Sequence, residues 1–474
     1  MRVSRGSWIL LTSVHFGSAT AQLPTVTLRD AVYIGTTTQV ASAIAIVNQF
    51  LGVPFAATPE RFRSAQPRPP GYTEVNATMQ PPVYIQQYAQ TTAAANSNES
   101  EDCLFLNLFA PRDGGCGANK KKRAVILWFY GGALSTGLIS SVDGSSLAAN
   151  EDVIVVASNY RLGVFGFPGN VSGLLPDELN PGFRDQKMAL RWIQENIARF
   201  SGDPDKVTIF GQSAGAVSVD SQLLSKLGDH PPFRTAILES GGLHTFNRIT
   251  LGIGVAVTGL GTGNIAGNEA PLLTLARYLN CSTEEAVAYL TAKPAAQVKA
   301  AVLSFNLLFA PVDNGGKTSM ADSDSARRAG RTARVPVLIG STFMEGNIFP
   351  TEAEESKSLE HAYTVGSSWQ IQSPEDTVRL LHSDFQFACT TTYDSNIIAG
   401  IGIRNGLASH GSELSFIFGG PGVQSTAANQ ALSTKIQNLG GEGTRDDAIT
   451  IIDRSVVDSL CSIFWDAYNP NRPK

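Results

Sequence analysis

Apolar residues recur along the chain in short continuous runs, with helical or polar stretches between them. A strand in the interior of a parallel sheet is covered on both faces, so its sequence is continuously apolar rather than alternating. The pattern therefore predicts six buried strands, at residues 124–130, 152–160, 206–211, 234–240, 335–342 and 414–419.

The segment between the second and third runs is predicted to be a helix. Within residues 184–200, Ala189, Ile193, Ile197 and Phe200 recur at spacings of four, four and three and form one apolar stripe. A strand, a helix and a further strand at this spacing form a right-handed βαβ unit. Six such strands with helices between them predict a doubly wound α/β fold.

Two segments do not follow this alternation of apolar runs and helical stretches. Residues 86–100 are predicted to form a polar loop, and residues 249–267 contain six glycines. Gly261, Gly263 and Gly267 are spaced GxGxxxG, whereas a dinucleotide site requires GxGxxG between a strand and a helix. The glycine-rich segment is therefore predicted to be a flexible loop, and no cofactor is predicted.

Composition and net charge restrict the kinds of molecule that the chain is expected to bind. The chain has 474 residues, of which 43% are hydrophobic and 16% charged, and this suits one large or two smaller soluble domains. Its formal net charge of −5 argues against nucleic acid as a partner, because phosphate binding needs a basic face. The basic run at residues 120–123 precedes a predicted strand and is interpreted as solvated.

Residues 1–21 have the form of a secretory signal peptide. Arg2 and Arg5 precede a short apolar core, and small residues lead to Ala21. Residues 22–474 are then expected to form a single secreted domain without a membrane span, since no later stretch reaches about 18 apolar residues. Secretion would permit N-glycosylation at four sequons, which begin at Asn76, Asn98, Asn170 and Asn280.

An oxidising compartment would also permit disulfides. The number of cysteines is odd, so at least one is unpaired or forms an intermolecular bond. No pair has the CxxC spacing, and no metal site is predicted. The cysteines are Cys103, Cys116, Cys281, Cys389 and Cys461.

The third apolar run ends in a serine between two glycines. Gly211, Ser213 and Gly215 form a GxSxG motif after a predicted strand and before a predicted helix. Such a serine sits at a sharp, strained turn that lifts its hydroxyl above the sheet, and the turn needs small flanking residues. The pattern predicts that Ser213 is a nucleophile.

A nucleophilic serine needs a base and an acid that orients the base. In this fold their order along the chain is serine, acid, histidine. Glu345 follows a predicted strand, and His410 lies in a glycine-flanked loop directly before the sixth apolar run. Singly they would be interpreted as a loop carboxylate and a turn histidine, but together and in this order they predict a triad.

Backbone N–H groups must also stabilise the oxyanion that forms during attack on an ester carbonyl. Gly131, Gly132 and Ala133 follow the first apolar run, and small residues there let the backbone approach the substrate. The N–H groups of Gly132, Ala133 and Ala214 are the predicted donors.

These residues resemble the type-B carboxylesterase/lipase family, which includes cholinesterases and secreted fungal lipases. The resemblance runs from about residue 30 to 420 and includes the stretches SEDCLFLNLFAP, SNYRLGVFGF, FGQSAGAVSV and HGSELSFIFG, in family order. It implies an α/β-hydrolase fold, with a mostly parallel central sheet and helices on both faces. By motif, it also implies the triad Ser213, Glu345 and His410 with oxyanion donors Gly132, Ala133 and Ala214.

The resemblance further implies structural contacts. Two ion pairs, Arg61–Glu101 and Arg161–Asp185, and a disulfide between Cys389 and Cys461 follow from it. Tyr84 stands where the family has a cysteine that would pair with Cys103, so Cys103 lacks its usual partner and Cys116 is a candidate substitute. The family partner of Cys281 is missing. Gln212 stands where cholinesterases have glutamate, and the tryptophan that cradles choline is absent. Choline esters are therefore not expected as substrates.

The functional hypothesis is a secreted serine carboxylic ester hydrolase that acts through an acyl-enzyme and requires no metal or cofactor. One alternative is a lipase for longer acyl esters, but the predicted lid at residues 86–103 is polar and favours soluble esters. The other is a non-catalytic, cholinesterase-like binding protein. The natural ester and the oligomeric state are left open.

Overall fold

The computed structural model describes residues 23–41, 43, 45–71, 73–87, 98–112, 122–225, 230–243, 271–305, 307–318, 323–345, 401–409 and 414–418. Its strands are β1 (Thr25–Thr27), β2 (Ala31–Ile34), β3 (Thr36–Val40), β4 (Ala45–Pro54), β5 (Thr73–Asn76), β6 (Phe105–Pro111), β7 (Arg123–Phe129), β8 (Ile154–Ser158), β9 (Gly202–Gln212), β10 (Thr235–Glu239), β11 (Val337–Met344) and β12 (Ile401–Ser409).

The strands form one large and one small sheet. The large sheet has the order β12-β11-β10-β9-β7-β8-β6-β4-β3. Its strands are parallel from β12 to β8, whereas β6, β4 and β3 run antiparallel at the other edge. The small sheet has the order β1-β2-β5. The fold is an α/β-hydrolase fold with a mostly parallel central sheet, as predicted.

The α-helices are α1 (Ser145–Glu151), α2 (Gly163–Gly166), α3 (Pro181–Asn196), α4 (Ala214–Leu224), α5 (Pro271–Tyr278), α6 (Ala286–Ala292), α7 (Ala295–Ser304), α8 (Ser323–Arg328) and α9 (Leu414–Phe418). Every residue of α4 is buried. This helix follows directly from the central strand β9, so the serine at their junction is held between two core elements.

The predicted helix at 184–200 is confirmed. It is α3, which continues as a 3₁₀ turn over Ile197–Phe200. Ala189, Ile193, Ile197 and Phe200 of the predicted apolar stripe are all buried. The periodicity worked here because a helix that packs on a sheet must be apolar on the side facing that sheet.

Five of the six predicted strands are confirmed as β7 to β11, but the sixth prediction is wrong. Residues 414–418 form α9, in which Phe418 packs edge-on against Trp128 at 5.2 Å between ring centroids. A buried apolar run of this length has the same composition in a strand and in a helix, so periodicity cannot distinguish them. The strand beside this position is β12, whose sequence contains Arg404 and Asn405 and shows no apolar run.

Other expectations have mixed outcomes. Gln86 and Gln87, in the predicted polar loop, are fully buried. In the basic run, Lys122 is exposed as predicted, but Arg123 is buried and pairs with Asp152 at 2.6 Å.

The signal peptide and the glycine-rich segment 249–267 lie outside the described residues. Within the described parts of the chain, no helix has both the length and the apolar character to cross a bilayer.

Candidate active site

Ser213 lies at the junction of β9 and α4. Its backbone angles, φ 58° and ψ −125°, are rare for a residue with a side chain. The Ser213 N–H donates to the Glu239 carbonyl at 2.8 Å, and its carbonyl accepts from the Val217 N–H at 3.1 Å. The side chain is half-buried, whereas its neighbours Gln212 and Ala214 are buried. The junction therefore presents one polar side chain at the sheet edge.

Close backbone approaches explain the two glycines of the motif. A Cβ at Gly211 would lie 2.2 Å from the Gly215 carbonyl oxygen, and a Cβ at Gly215 would lie 2.0 Å from the Phe129 carbonyl oxygen. Both distances are far below van der Waals contact. Residues 211–215, termed the serine turn, can therefore take this path only with glycine on both sides of the serine.

The loop after β7 lies against the serine turn. A Cβ at Gly131 would approach the Ser213 Cβ to 2.9 Å. Gly132 and Ala133 have φ values of 112° and 54°, and neither N–H donates to another group in the described part of the chain. Residues 131–137 are termed the 131–137 loop. At Gly131 this loop lies against Ser213, and the N–H groups of Gly132 and Ala133, which come next in the chain, have no acceptor among the described residues.

Ala214 supplies a third N–H group. It is the first residue of α4, where the N–H has no acceptor within the helix. Helix N-termini also carry a partial positive charge. Of the predicted donors, Ala214 lies in the serine turn itself, and Gly132 and Ala133 follow Gly131, which lies against that turn.

Glu345 directly follows β11 and is completely buried. Strands β9, β10 and β11 are adjacent and parallel, so Glu345 and Ser213 lie at the same edge of the sheet. His410 lies outside the described residues. The sheet register nevertheless pairs Met344 with Ser409, the residues that immediately precede Glu345 and His410.

Both ion pairs implied by the family resemblance are confirmed. Arg61 Nε donates to Glu101 Oε1 at 2.8 Å. Arg161 and Asp185 are almost entirely buried and joined by two side-chain hydrogen bonds of 2.8 and 2.7 Å. The Arg161–Asp185 pair anchors the segment after β8 to α3, close to the 131–137 loop.

The described cysteines are unpaired. Cys103 is free and fully buried, so the proposed Cys103–Cys116 alternative is wrong, and Cys281 is also free. Burial raises the pKa of the Cys103 thiol well above its usual value, which keeps the group protonated and unreactive. Cys116, Cys389 and Cys461 lie outside the described residues.

The predicted sequons all lie at the surface. At the first, the Thr78 hydroxyl donates to the Asn76 side-chain oxygen at 2.7 Å. Exposure is the physical requirement for attachment of a glycan. The exposed asparagines are Asn76, Asn98, Asn170 and Asn280.

Gln86, a buried polar residue beside the site, was not among the residues predicted from the sequence. The Gln86 side chain accepts hydrogen bonds from Thr136 Oγ1 and Gly137 N, each at 2.7 Å. Its partners are about 50 residues away in the sequence, so no local spacing could identify it. Only its position in a buried segment distinguishes it from a loop glutamine.

Comparison with known proteins agrees with this architecture. The sequence model of the Carboxylesterase family matches residues 22–396. The chain belongs to the carboxylesterase family. A solved structure, described as a thermophylic PNB esterase, superposes on this carboxylesterase-family chain with a TM-score of 0.68 and 27% sequence identity. The match covers 87% of this chain and 89% of that structure.

Curated relatives match over shorter segments. Human Carboxylesterase 5A is 46% identical over 206 residues, which cover 41% of this chain and 35% of the relative. Human Cocaine esterase is 39% identical over 245 residues, covering 49% and 43%. The Fatty acyl-CoA hydrolase precursor, medium chain, of Anas platyrhynchos is 44% identical over 209 residues, covering 41% and 36%. The matched segments thus span less than half of each of these relatives.

Proposed function

We propose that the chain is a serine carboxylic ester hydrolase with Ser213 as its nucleophile. The observation that carries this proposal is the strained, half-buried Ser213 at the junction of β9 and α4, beside three N–H groups that lack a described protein acceptor. A serine that only packed in the core would not require this strained backbone. A nucleophile does require it, because the sharp turn exposes its hydroxyl above the sheet. Membership of the carboxylesterase family supports the same assignment.

In the proposed mechanism, the Ser213 oxygen attacks the ester carbonyl carbon while His410 accepts the hydroxyl proton. The carbonyl π electrons move to the oxygen, and the resulting oxyanion accepts hydrogen bonds from the 131–137 loop and α4. Collapse of the tetrahedral intermediate breaks the bond to the alcohol oxygen, which takes the proton from His410. The products of this half-reaction are the free alcohol and an acyl-enzyme on Ser213.

Deacylation repeats these steps with water. His410 accepts a proton from the attacking water and returns it to Ser213, and the carboxylic acid leaves. Glu345 orients the histidine and stabilises its protonated form. Its complete burial and its place at the sheet edge beside the end of β12 support this role. Loss of one oxyanion donor typically costs about 10²–10³ in kcat.

The proposed substrates are neutral, soluble esters. Gln212 is buried next to Ser213 and contributes an amide where a carboxylate would favour a cationic alcohol group. The related proteins are named for different substrates, so a series of p-nitrophenyl esters of increasing acyl length is the direct assay. Maximal kcat/KM at short acyl chains would support a carboxylesterase, and a maximum at long chains would support the lipase alternative.

The decisive experiment compares the wild-type protein with Ser213→Ala. Ester hydrolysis should fall by at least about 10⁴-fold, because the acyl-enzyme cannot form. A fluorophosphonate probe should label the wild type in a nearly one-to-one ratio and leave the variant unlabelled. Ser304→Ala is the matched control and should be labelled normally, since this serine is exposed at the end of α7. Equal hydrolysis by Ser213→Ala would disprove the mechanism, and an unlabelled wild type would favour the non-catalytic alternative.

We also propose secretion after cleavage near Ala21. Four exposed sequon asparagines are consistent with passage through an oxidising, glycosylating compartment. Expression in a secreting eukaryotic host should yield a new N-terminus near residue 22 and a mass that decreases on enzymatic deglycosylation. Peptide mapping without reduction should recover Cys389 linked to Cys461. An uncleaved, unmodified chain in the cytosol would contradict the proposal.

A further inference from the structure

The 131–137 loop adopts an unusual backbone path. Gly132, Ala133, Leu134 and Gly137 have φ values of 112°, 54°, 56° and 136°. Backbone in such sparsely populated conformations persists only where the surrounding structure holds it in place. The loop therefore depends on contacts from outside itself.

The side chain of Gln86 supplies contacts at the end of the loop. Its Oε1 accepts hydrogen bonds from Thr136 Oγ1 and Gly137 N at 2.7 Å each, and its Nε2 donates to Gly137 O at 3.1 Å and Tyr84 O at 2.7 Å. Two acceptor and two donor positions are all that a primary amide offers. The fully buried amide is thus satisfied in one orientation only, because a flipped amide would point its NH₂ at the Gly137 N–H.

The segment around Gln86 is itself held in place. The Gln86 N–H donates to Glu99 Oε1 at 3.3 Å, and the Glu99 carboxylate pairs with Lys299 at 2.6 and 2.8 Å. The next residue, Gln87, donates its N–H to the Ser135 carbonyl at 2.8 Å. Two adjacent residues therefore bind three consecutive residues of the loop.

Further hydrogen bonds connect these contacts to the peptide unit between Gly132 and Ala133. The N–H groups of Ser135 and Thr136 both donate to the Gly132 carbonyl at 3.0 Å. Gln86 binds Thr136, and Thr136 binds the peptide unit that carries the Ala133 N–H. The direction of that N–H is therefore coupled to the position of the Gln86 amide.

We propose that Gln86 is a positioning residue for ester hydrolysis: its amide holds the 131–137 loop so that the Gly132 and Ala133 N–H groups point at the oxyanion. This inference rests on the proposed function. Gln86 contacts neither substrate nor reacting atoms in this role, and it acts through Thr136 and Gly137. It predicts a loss of transition-state stabilisation without a loss of substrate binding.

The test uses Gln86→Met, which keeps the length of the side chain and removes its hydrogen bonds. A misplaced catalytic group can reduce rate by about 10²-fold, so kcat for a short p-nitrophenyl ester should fall by about 10- to 100-fold. KM should change by less than about threefold. The affinity of a trifluoromethyl ketone, which forms a tetrahedral adduct on serine, should fall by the same factor as kcat/KM.

Gln194→Met is the matched control. The Gln194 amide also joins separate segments, donating to the Pro204 and Pro232 carbonyls at 2.8 and 3.0 Å, but it lies on α3 outside the site. Its kcat and inhibitor affinity should equal those of the wild type. Gln86→Glu keeps both acceptor bonds to the loop and should recover part of the activity lost in Gln86→Met.

A folded Gln86→Met variant with wild-type kcat and ketone affinity would overturn the inference, and so would an equal loss in Gln194→Met. If Gln86→Met does not fold, Thr136→Val decides, because it removes one hydrogen bond to Gln86 and keeps the side-chain shape. A several-fold lower kcat would support the inference, and unchanged kinetics would overturn it. A wild-type protein without esterase activity would instead overturn the proposed function and, with it, the role of Gln86.

Discussion

The serine turn and the 131–137 loop both contain strained backbone beside the site, but their support differs. The serine turn is held by its own glycines and by neighbouring strands, with Ser213 N–H bonded to Glu239. The 131–137 loop is held by the side chain of Gln86 from one distant segment, and Tyr130, which directly precedes the loop, is held by Tyr160 from another. Strain can thus be stabilised by local steric fit or by long-range hydrogen bonds, and only the first leaves a motif in the sequence.

The largest expected effect on stability comes from the Arg161–Asp185 ion pair, which anchors the segment that contains Tyr160 (the Tyr160 segment). Asp185 accepts hydrogen bonds from the Arg161 N–H, Nε and Nη2 at 3.0, 2.8 and 2.7 Å. Asp185→Asn leaves the buried guanidinium without a countercharge, and breaking such a pair costs about 3–5 kcal/mol. Urea denaturation should show this loss, together with reduced esterase activity of the remaining folded protein.

A control for this prediction lies on the same helix. Glu195→Gln breaks the exposed Arg191–Glu195 pair of α3 and should change stability by less than about 0.5 kcal/mol. If Asp185→Asn proved as mild as Glu195→Gln, the Tyr160 segment would not depend on this anchor. The contrast between locally and distantly supported regions would then weaken.

The next effect concerns the serine turn. Gly215→Ala would place a Cβ 2.0 Å from the Phe129 carbonyl oxygen, and both are parts of rigid core elements. Overpacking of this kind costs about 2–3 kcal/mol, and activity should fall because the turn must shift. Thermal unfolding and ester hydrolysis measure the two consequences.

Gly315→Ala separates steric overlap from backbone preference. A Cβ at Gly315 would meet nothing within 4 Å, although its φ is 69°. Its cost should therefore be only the left-handed penalty of about 1–2 kcal/mol, with normal activity. Equal destabilisation by the two variants would contradict a steric origin of the glycine at position 215.

The smallest predicted effect concerns the start of the 131–137 loop. The Tyr160 hydroxyl donates to the Tyr130 carbonyl at 2.7 Å, and the two rings stack at 4.4 Å between centroids. Burial raises the pKa of Tyr160 well above its usual value, so the hydroxyl remains a donor at neutral pH. Tyr160→Phe keeps the stack and removes the donor, at a cost of about 1 kcal/mol.

Activity of Tyr160→Phe should fall less than in Gln86→Met, because the stacked rings still hold the start of the loop. Tyr278→Phe is the control, since this tyrosine is half-exposed and stacks on Phe305 at the surface. Its stability and kinetics should match the wild type. A larger activity loss in Tyr160→Phe than in Gln86→Met would show that the loop is supported mainly through Tyr130, the residue that precedes it.

Much of the central fold was predictable from the sequence. Strands β7 to β11 and helix α3 follow from apolar runs and helical periodicity, which reflect burial of each element on the sheet. The helix at 414–418 was mistaken for a strand, because its five residues are too few to show a helical period. The polar sequence of β12 hid a strand that is defined by its pairing with β11.

The same division holds at the candidate site. Ser213 and its glycines were predictable because the constraints on the serine turn act between residues that are adjacent in sequence or in the sheet. The free, buried Cys103 and the role of Gln86 were not, since they depend on which distant groups meet them. The sequence by itself determined the parallel sheet, the position of the proposed nucleophile and the candidate donors, through local sterics and periodic burial. Only the tertiary structure decided how the 131–137 loop is held, because hydrogen bonds between residues about 50 positions apart leave no periodic trace.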